Sequence, residues 1–198
     1  MMLGGRHSRR PGFARGAGFA RDDRGVAAVE FAFVAPVFCL LLVGAIDLGG
    51  ALFVKFKLDA AVTAGANFAQ VNAGNVSSTS GQSLANNIAT IVETSQGSGW
   101  ADNVITVNDG PTTTTTSGSQ TTSGTAANAD SCYCPSGTPS AFVWGSAVTC
   151  GNACSGSNTG YAGKFVVITA SKTYTPIFSN YNLINGNTIT ASAAVQVQ

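Results

Sequence analysis

Hydrophobic residues run almost unbroken from Val26 to Ile46, VAAVEFAFVAPVFCLLLVGAI, with Glu30 the one charged side chain among them. About twenty apolar residues is the length a helix needs to cross a bilayer, and a core helix of a soluble domain would show a polar face instead. A secretory signal peptide has a shorter apolar part followed by a small-x-small cleavage site, whereas this run continues into ALFVKFKL. The run therefore predicts a membrane-spanning helix. Beyond it, Val54, Leu58, Ala61, Val62, Gly65, Phe68 and Ala69 recur on one side at helical spacing, with Asp59, Thr63, Asn67 and Gln70 opposite. The helix is thus expected to continue to about Asn72, and from Val26 it would approach about 70 Å at 1.5 Å per residue. Pro36, Gly44 and Gly49-Gly50 are its candidate bends.

Further along, Leu84, Ile88, Ile91 and Val92 form a second apolar stripe that predicts a helix over 83–94, with Ser83 as its N-cap. VITVND, residues 104–109, reads as a strand, and the following PTTTTTSGSQTTSGTAANAD as a Thr/Ser/Gly-rich surface loop with little to bury. KFVVITASKTY is strand-like. In TITASAAVQVQ, Ile189, Ala191, Ala193, Val195 and Val197 alternate with more polar positions at the period of a half-buried strand. The stretch between them, residues 176–187, is expected to wrap the sheet edge. These elements predict an α+β chain: a long N-terminal transmembrane helix continuing into a domain with a second short helix and a small antiparallel sheet.

Charge gives the chain a direction. The net charge is only +1, yet six of the ten basic residues, Arg6, Arg9, Arg10, Arg15, Arg21 and Arg24, precede Gly25. Nucleic acid is a poor partner for this head, which lacks interleaved aromatics and leads straight into the apolar run. Retention on the cytoplasmic side of a membrane accounts for it, since only Lys55 and Lys57 follow the run closely. The expected organisation is a basic cytoplasmic leader over 1–25, a transmembrane helix over 26–46 and an extracytoplasmic domain over 47–198. With only 10% charged residues and abundant Gly, Ser, Thr, Asn and Ala, the chain resembles exported proteins more than a cytosolic enzyme.

Of five cysteines, Cys39 sits in the apolar run and Cys132, Cys134, Cys150 and Cys154 lie beyond it. Four cysteines in an oxidising compartment point to two disulfides. Cys132 and Cys134 are too close to bond each other readily, so each is expected to pair with Cys150 or Cys154, in either of two connectivities. Four thiolates could instead hold zinc, but C-x-C and C-x-x-x-C match zinc knuckles poorly. The one histidine, His7, lies in the leader, so the exported part has no histidine for acid–base, triad or metal chemistry. Glu93, Asp102, Asp109 and Asp130 are scattered among polar residues, as solvated or turn carboxylates are. Neither enzymatic activity nor a cofactor is expected.

Glu30 is the anomaly, because a charge at the centre of a membrane helix costs about 2.5–3.5 kcal/mol, and less toward an end. It asks for a partner. The residues before it, Arg21-Asp22-Asp23-Arg24-Gly25 and then Val26-Ala27-Ala28-Val29-Glu30-Phe31, form a charged stretch, a glycine, four apolar residues, a glutamate and an aromatic. This arrangement resembles a type IV prepilin processing site. The resemblance implies cleavage between Gly25 and Val26 by a prepilin peptidase, leaving Glu30 fifth in the mature chain. The new Val26 α-amino group, with a reference pKa of about 8, would be largely cationic and could pair with Glu30 of a neighbouring subunit. Downstream, Pro36, Gly44, Asp47-Leu48-Gly49, Leu58, Ala61 and the segment Ala64-Gly65-Ala66-Asn67-Phe68-Ala69 resemble the TadE-like family of tight-adherence (Tad) pilus proteins. Phe31 stands where Tad prepilins usually have tyrosine, and Asn67 where many relatives have arginine. The resemblance implies a minor pilin, pseudopilin or accessory subunit of a Tad (type IVc) pilus. Its partners would be the peptidase, other pilins, Tad assembly proteins and membrane lipid; an unprocessed single-pass scaffold of the same machine is the alternative.

Overall fold

A computed structural model of the protein describes residues 24–155, 160–177 and 187–198. The first helix, α1 (Arg24–Val71), is 48 residues long and runs through Pro36, Gly44 and Gly49-Gly50. The chain separates into two compact units whose boundary falls inside it, between Ala45 and Ile46. In the first unit, side chains point outward all around the helix, among them Val29, Phe31, Phe33, Phe38 and Leu41. An 18-residue window of the helix reaches a mean hydropathy of 2.5 with none of it buried by the protein. A helix apolar on every side has no aqueous face, which suits it to lipid rather than water.

From Ile46 onward the same helix becomes one-sided. Leu58, Ala61, Val62 and Ala69 are buried, while Thr63, Asn67 and Gln70 are exposed. The buried stripe meets a second helix, α2 (Gly81–Thr94), which contributes Leu84, Ile88 and Val92 to the same core. Both helices cover one face of a five-stranded sheet made of β1 (Asp102–Val107), β2 (Thr112–Thr116), β3 (Ser119–Ser123), β8 (Phe165–Thr173) and β9 (Thr188–Gln196). Its order is β3-β2-β1-β8-β9 and every pairing is antiparallel. The central register sets Ile105 opposite Ile168, and Ile168 opposite Ala193. Because strand side chains alternate, this register puts Ile105, Val107, Val166, Ile168, Ala170 and Ala191 into one apolar layer under the helices. Gly65 sets the closeness of the contact. A Cβ there would lie 3.1 Å from methyls of Ile88 and Val92 and 3.3 Å from Ile168 Cδ1.

Between β3 and β8 the chain makes two small ribbons, β4 (Cys132–Tyr133) with β7 (Ala147–Val148) and β5 (Ser136–Thr138) with β6 (Ala141–Val143). Phe142 of β6 packs edge-on to Trp144 at 4.7 Å and lies 6.1 Å from Phe165 of β8, tying the ribbons to the sheet.

The α+β architecture agrees with the sequence pattern, and four details differ from it. The helix expected from Ser83 starts at Gly81, with Ser80 at the N-cap and Ser83 exposed in its first turn. Ser80 makes no side-chain cap bond; its own N–H is taken by the Ser77 hydroxyl at 3.2 Å. The strand expected over 104–109 is shifted to Asp102–Val107, because Asn108 and Asp109 both turn to positive φ and end it. The Thr/Ser-rich stretch is no loop. It forms the β2–β3 hairpin, turning at Ser117-Gly118, where both residues have positive φ as a two-residue type I′ turn requires. Threonine is β-branched and favours strands, and Thr113 is buried by hydrogen bonds rather than by apolar contact: it donates to Asn86 Oδ1 at 2.6 Å and accepts from Gln82 Nε2 at 2.9 Å, both on α2. Finally, Glu93 is buried rather than solvated, accepting the Gly99 N–H at 2.9 Å. The leader's arginines and the wrapping segment expected over 176–187 lie outside the described residues, apart from Arg24, Pro176, Ile177 and Asn187.

Leu58 is 0% exposed whereas Phe56, two residues away, is 66% exposed. Leu58→Ala is therefore expected to cost about 2–5 kcal/mol of stability through a cavity at the helix–sheet contact. Phe56→Ala should stay within about 0.5 kcal/mol. Chemical denaturation of the full chain in micelles, followed by fluorescence of the two tryptophans, checks the pair; equal losses would contradict the packing.

Candidate functional site at the head of the long helix

Gly25 and Val26 occupy the first turn of α1, and Glu30 and Phe31 follow one turn later. All four are exposed. Val26 and Glu30 are four apart, so they share a helix face and their side chains can meet. A Cβ built on Gly25 would meet nothing within 4 Å, so contacts among the described residues do not require glycine there. Glycine costs a helix about 1 kcal/mol relative to alanine, and this first turn has no acidic residue to offset the helix dipole. The Gly25–Val26 peptide bond thus lies in a turn that unwinds cheaply. Asp22 and Asp23, the acidic part of the sequence motif, lie outside the described residues.

The second group of expected site residues is brought together well away in sequence. Cys132 bonds Cys150 and Cys134 bonds Cys154, while Cys39 is free and exposed on α1. This resolves the pairing that spacing left open, and with all four sulfurs so engaged no thiolate among them remains to ligate zinc. Backbone bonds set the crossings. Tyr133 and Gly163 exchange N–H and carbonyl at 2.9 and 3.1 Å, and Cys154 donates its N–H to Gly160. A cavity beside the Cys134–Cys154 bond is lined by Ser146, Asn152 and Ser155 without a charged side chain.

Asn108 braces this region, and nothing in the local sequence marks it. It is fully buried at φ 54°, where its Nδ2 donates to the carbonyls of Asn128, Ala129 and Ser131 and its Oδ1 accepts the Phe165 N–H. One amide therefore holds the approach to Cys132 against the start of β8. Nearby, burial pushes the Asp109 carboxyl above its ordinary value, and burial together with the Asp109 charge raises the Tyr133 phenol. Hydrogen bonds from Ser78 instead hold Asp130 below the usual carboxylate range, the Ser78 N–H reaching its Oδ1 at 2.9 Å. These carboxylates anchor turns. Asp102 does the same, accepting the Ser117 N–H at 2.8 Å.

Mass spectrometry of the oxidised protein, with cleavage after Tyr133 and after Asn152 so that all four cysteines lie on separate peptides, should recover Cys132 linked to Cys150 and Cys134 linked to Cys154, with Cys39 as a free thiol. The bonds close loops of 18 and 20 residues, so replacing the Cys134–Cys154 pair by alanines is expected to cost about 2–5 kcal/mol. Recovery of the crossed pairing would contradict the ribbon arrangement.

Comparison with curated proteins and with solved structures finds no match. Residues 25–67, from the exposed glycine into the buried stripe of α1, match the family model described as TadE-like protein, and over that segment the chain is similar to that family.

Proposed function

We propose that the chain is a minor pilin, pseudopilin or accessory subunit of a Tad pilus assembly system, anchored by the first part of α1 with its leader in the cytoplasm and its domain outside. A prepilin peptidase removes the leader after Gly25, and the mature chain then meets other pilins and Tad assembly proteins. The observation that carries this reading is the head of α1: a TadE-like segment, apolar on every side, opening on a glycine that the chain's own packing does not require. A peptidase needs an extended backbone at the bond it cuts, and a glycine in the first turn makes that extension cheap.

Glu30 fits the same reading. Cleavage would put a cationic amino group at the positive end of a helix, where the dipole opposes it. Glu30 neutralises that charge, within one chain or across two, and is itself relieved of its membrane cost.

N-terminal sequencing of protein extracted from membranes of cells containing a Tad prepilin peptidase is expected to begin at Val26. Gly25→Leu should leave only the full-length chain. Wild-type protein recovered solely at full length would instead make this an unprocessed scaffold of the assembly machine. Glu30→Gln should be inserted and cleaved as wild type yet co-purify less with other pilins; undiminished co-purification would reduce Glu30 to a tolerated interfacial carboxylate.

A further inference from the structure

After β8 the chain crosses back to α1 in a short strap, Tyr174-Thr175-Pro176-Ile177. Among the described residues, two hydrogen bonds join it to α1, both at Asp47. The Tyr174 hydroxyl donates to the Asp47 carbonyl at 3.0 Å, and the Ile177 N–H donates to Asp47 Oδ1 at 2.8 Å. The Tyr174 hydroxyl lies so close over Gly50 that a Cβ there would come within 2.6 Å of its oxygen. Asp47 is 3% exposed, so its carboxylate is spent on the strap rather than on water. Pro176 narrows the strap's backbone further.

All this fastening holds Ile177 in the open, with 64% of it exposed. Leu48, next to Asp47, is exposed too. Fixed apolar side chains facing water are unfavourable, so something other than water is expected to cover them. Chain continuity identifies it. Asp47 directly follows Ile46, the last residue of the apolar run, so wherever that run ends the strap begins within one helical turn of it. The neighbouring side chains are of the kinds that settle at bilayer interfaces: the amphipathic Tyr174, and Lys172 lying 5.8 Å over the Trp100 ring.

We propose that the Tyr174–Ile177 strap is a second membrane contact, clipped to α1 by Asp47 so that Ile177 and Leu48 enter the boundary between lipid headgroups and acyl chains. This rests on the membrane-anchored reading of α1. Its consequence is orientational: a helix alone lets the domain swivel and tilt, whereas a helix and a strap beside it fix which side of the domain faces the bilayer before assembly.

Nitroxide labels on the full-length chain, reconstituted in vesicles of phosphatidylcholine and phosphatidylglycerol, separate the alternatives. The native thiol of Cys39 reports on the membrane helix itself. In a Cys39→Ser background, Ile177→Cys reports on the strap and Thr121→Cys, on exposed β3, gives an aqueous reference. The ratio of relaxation by dissolved oxygen to relaxation by a water-soluble nickel chelate should be several-fold higher at positions 39 and 177 than at 121. Adding Asp47→Ala should return position 177 toward the value at 121 while leaving 39 unchanged. A lipid value at 39 with an aqueous value at 177 would overturn the strap contact alone. An aqueous value at 39 would overturn the anchored reading and the strap with it. Protection of position 177 from both reagents would mean that a protein surface, such as a second copy of the chain, covers the strap, and would refute the lipid contact.

Discussion

The fold depends on the close seating of α1 against α2 and the sheet at Gly65. With no side chain at that position, the methyls of Ile88, Val92 and Ile168 approach the helix backbone directly, and Leu58, Ala61, Val62 and Ala69 interlock on either side. An added Cβ would require those methyls to give by a few tenths of an ångström, and a bulkier side chain would strain the seating of α1 on the layer formed by β1, β8 and β9. The all-round apolar part of α1 and its buried stripe belong to one helix, Arg24–Val71. Without it the sheet would have one apolar face exposed and only α2 to cover it.

Regions of the chain built on apolar periodicity were legible in the sequence. The continuation of the first helix to Val71, the stripe on α2 and the alternation of β9 all follow from residues whose burial is hydrophobic. The β2–β3 hairpin was not, because its buried inner positions are threonines: Thr113 is bonded by Gln82 and Asn86 across the interface, and Thr115 is buried with no partner for its hydroxyl among the described residues. Composition marks such a segment as polar, and only the partner's position shows that the buried Thr113 hydroxyl is satisfied. Glu93 was missed for the same reason, since the amide it accepts from belongs to a turn six residues on.

The glycine, apolar stretch and glutamate at the head of α1 stand out in the sequence because they are local and in fixed order. The clip at Asp47 could not be read in this way. Asp47 and Ile177 are 130 residues apart, and nothing in the sequence around either marks the other. The disulfides fall between these cases. The number and compartment of the cysteines predict two bonds, but which cysteine meets which depends on how β4 and β7 pair, with Cys132 opposite Val148. A small domain limited in the apolar surface it can bury gains from such cross-links, and here they stabilise the stretch of chain with the least core of its own.

The central claim is that one helix serves two surroundings, lipid over its first part and a packed protein core over its second. Hydrogen exchange of the full-length chain in phospholipid vesicles tests this residue by residue. The account predicts that amides of residues 58–69 exchange only with the slowest amides of β1 and β8, as members of one cooperative core, and that destabilising the domain with urea releases all three together while the amides of residues 30–44 remain protected by the bilayer. Residues 58–69 exchanging rapidly while β1 and β8 stay protected would show that the helix is not part of the core, and would contradict the account.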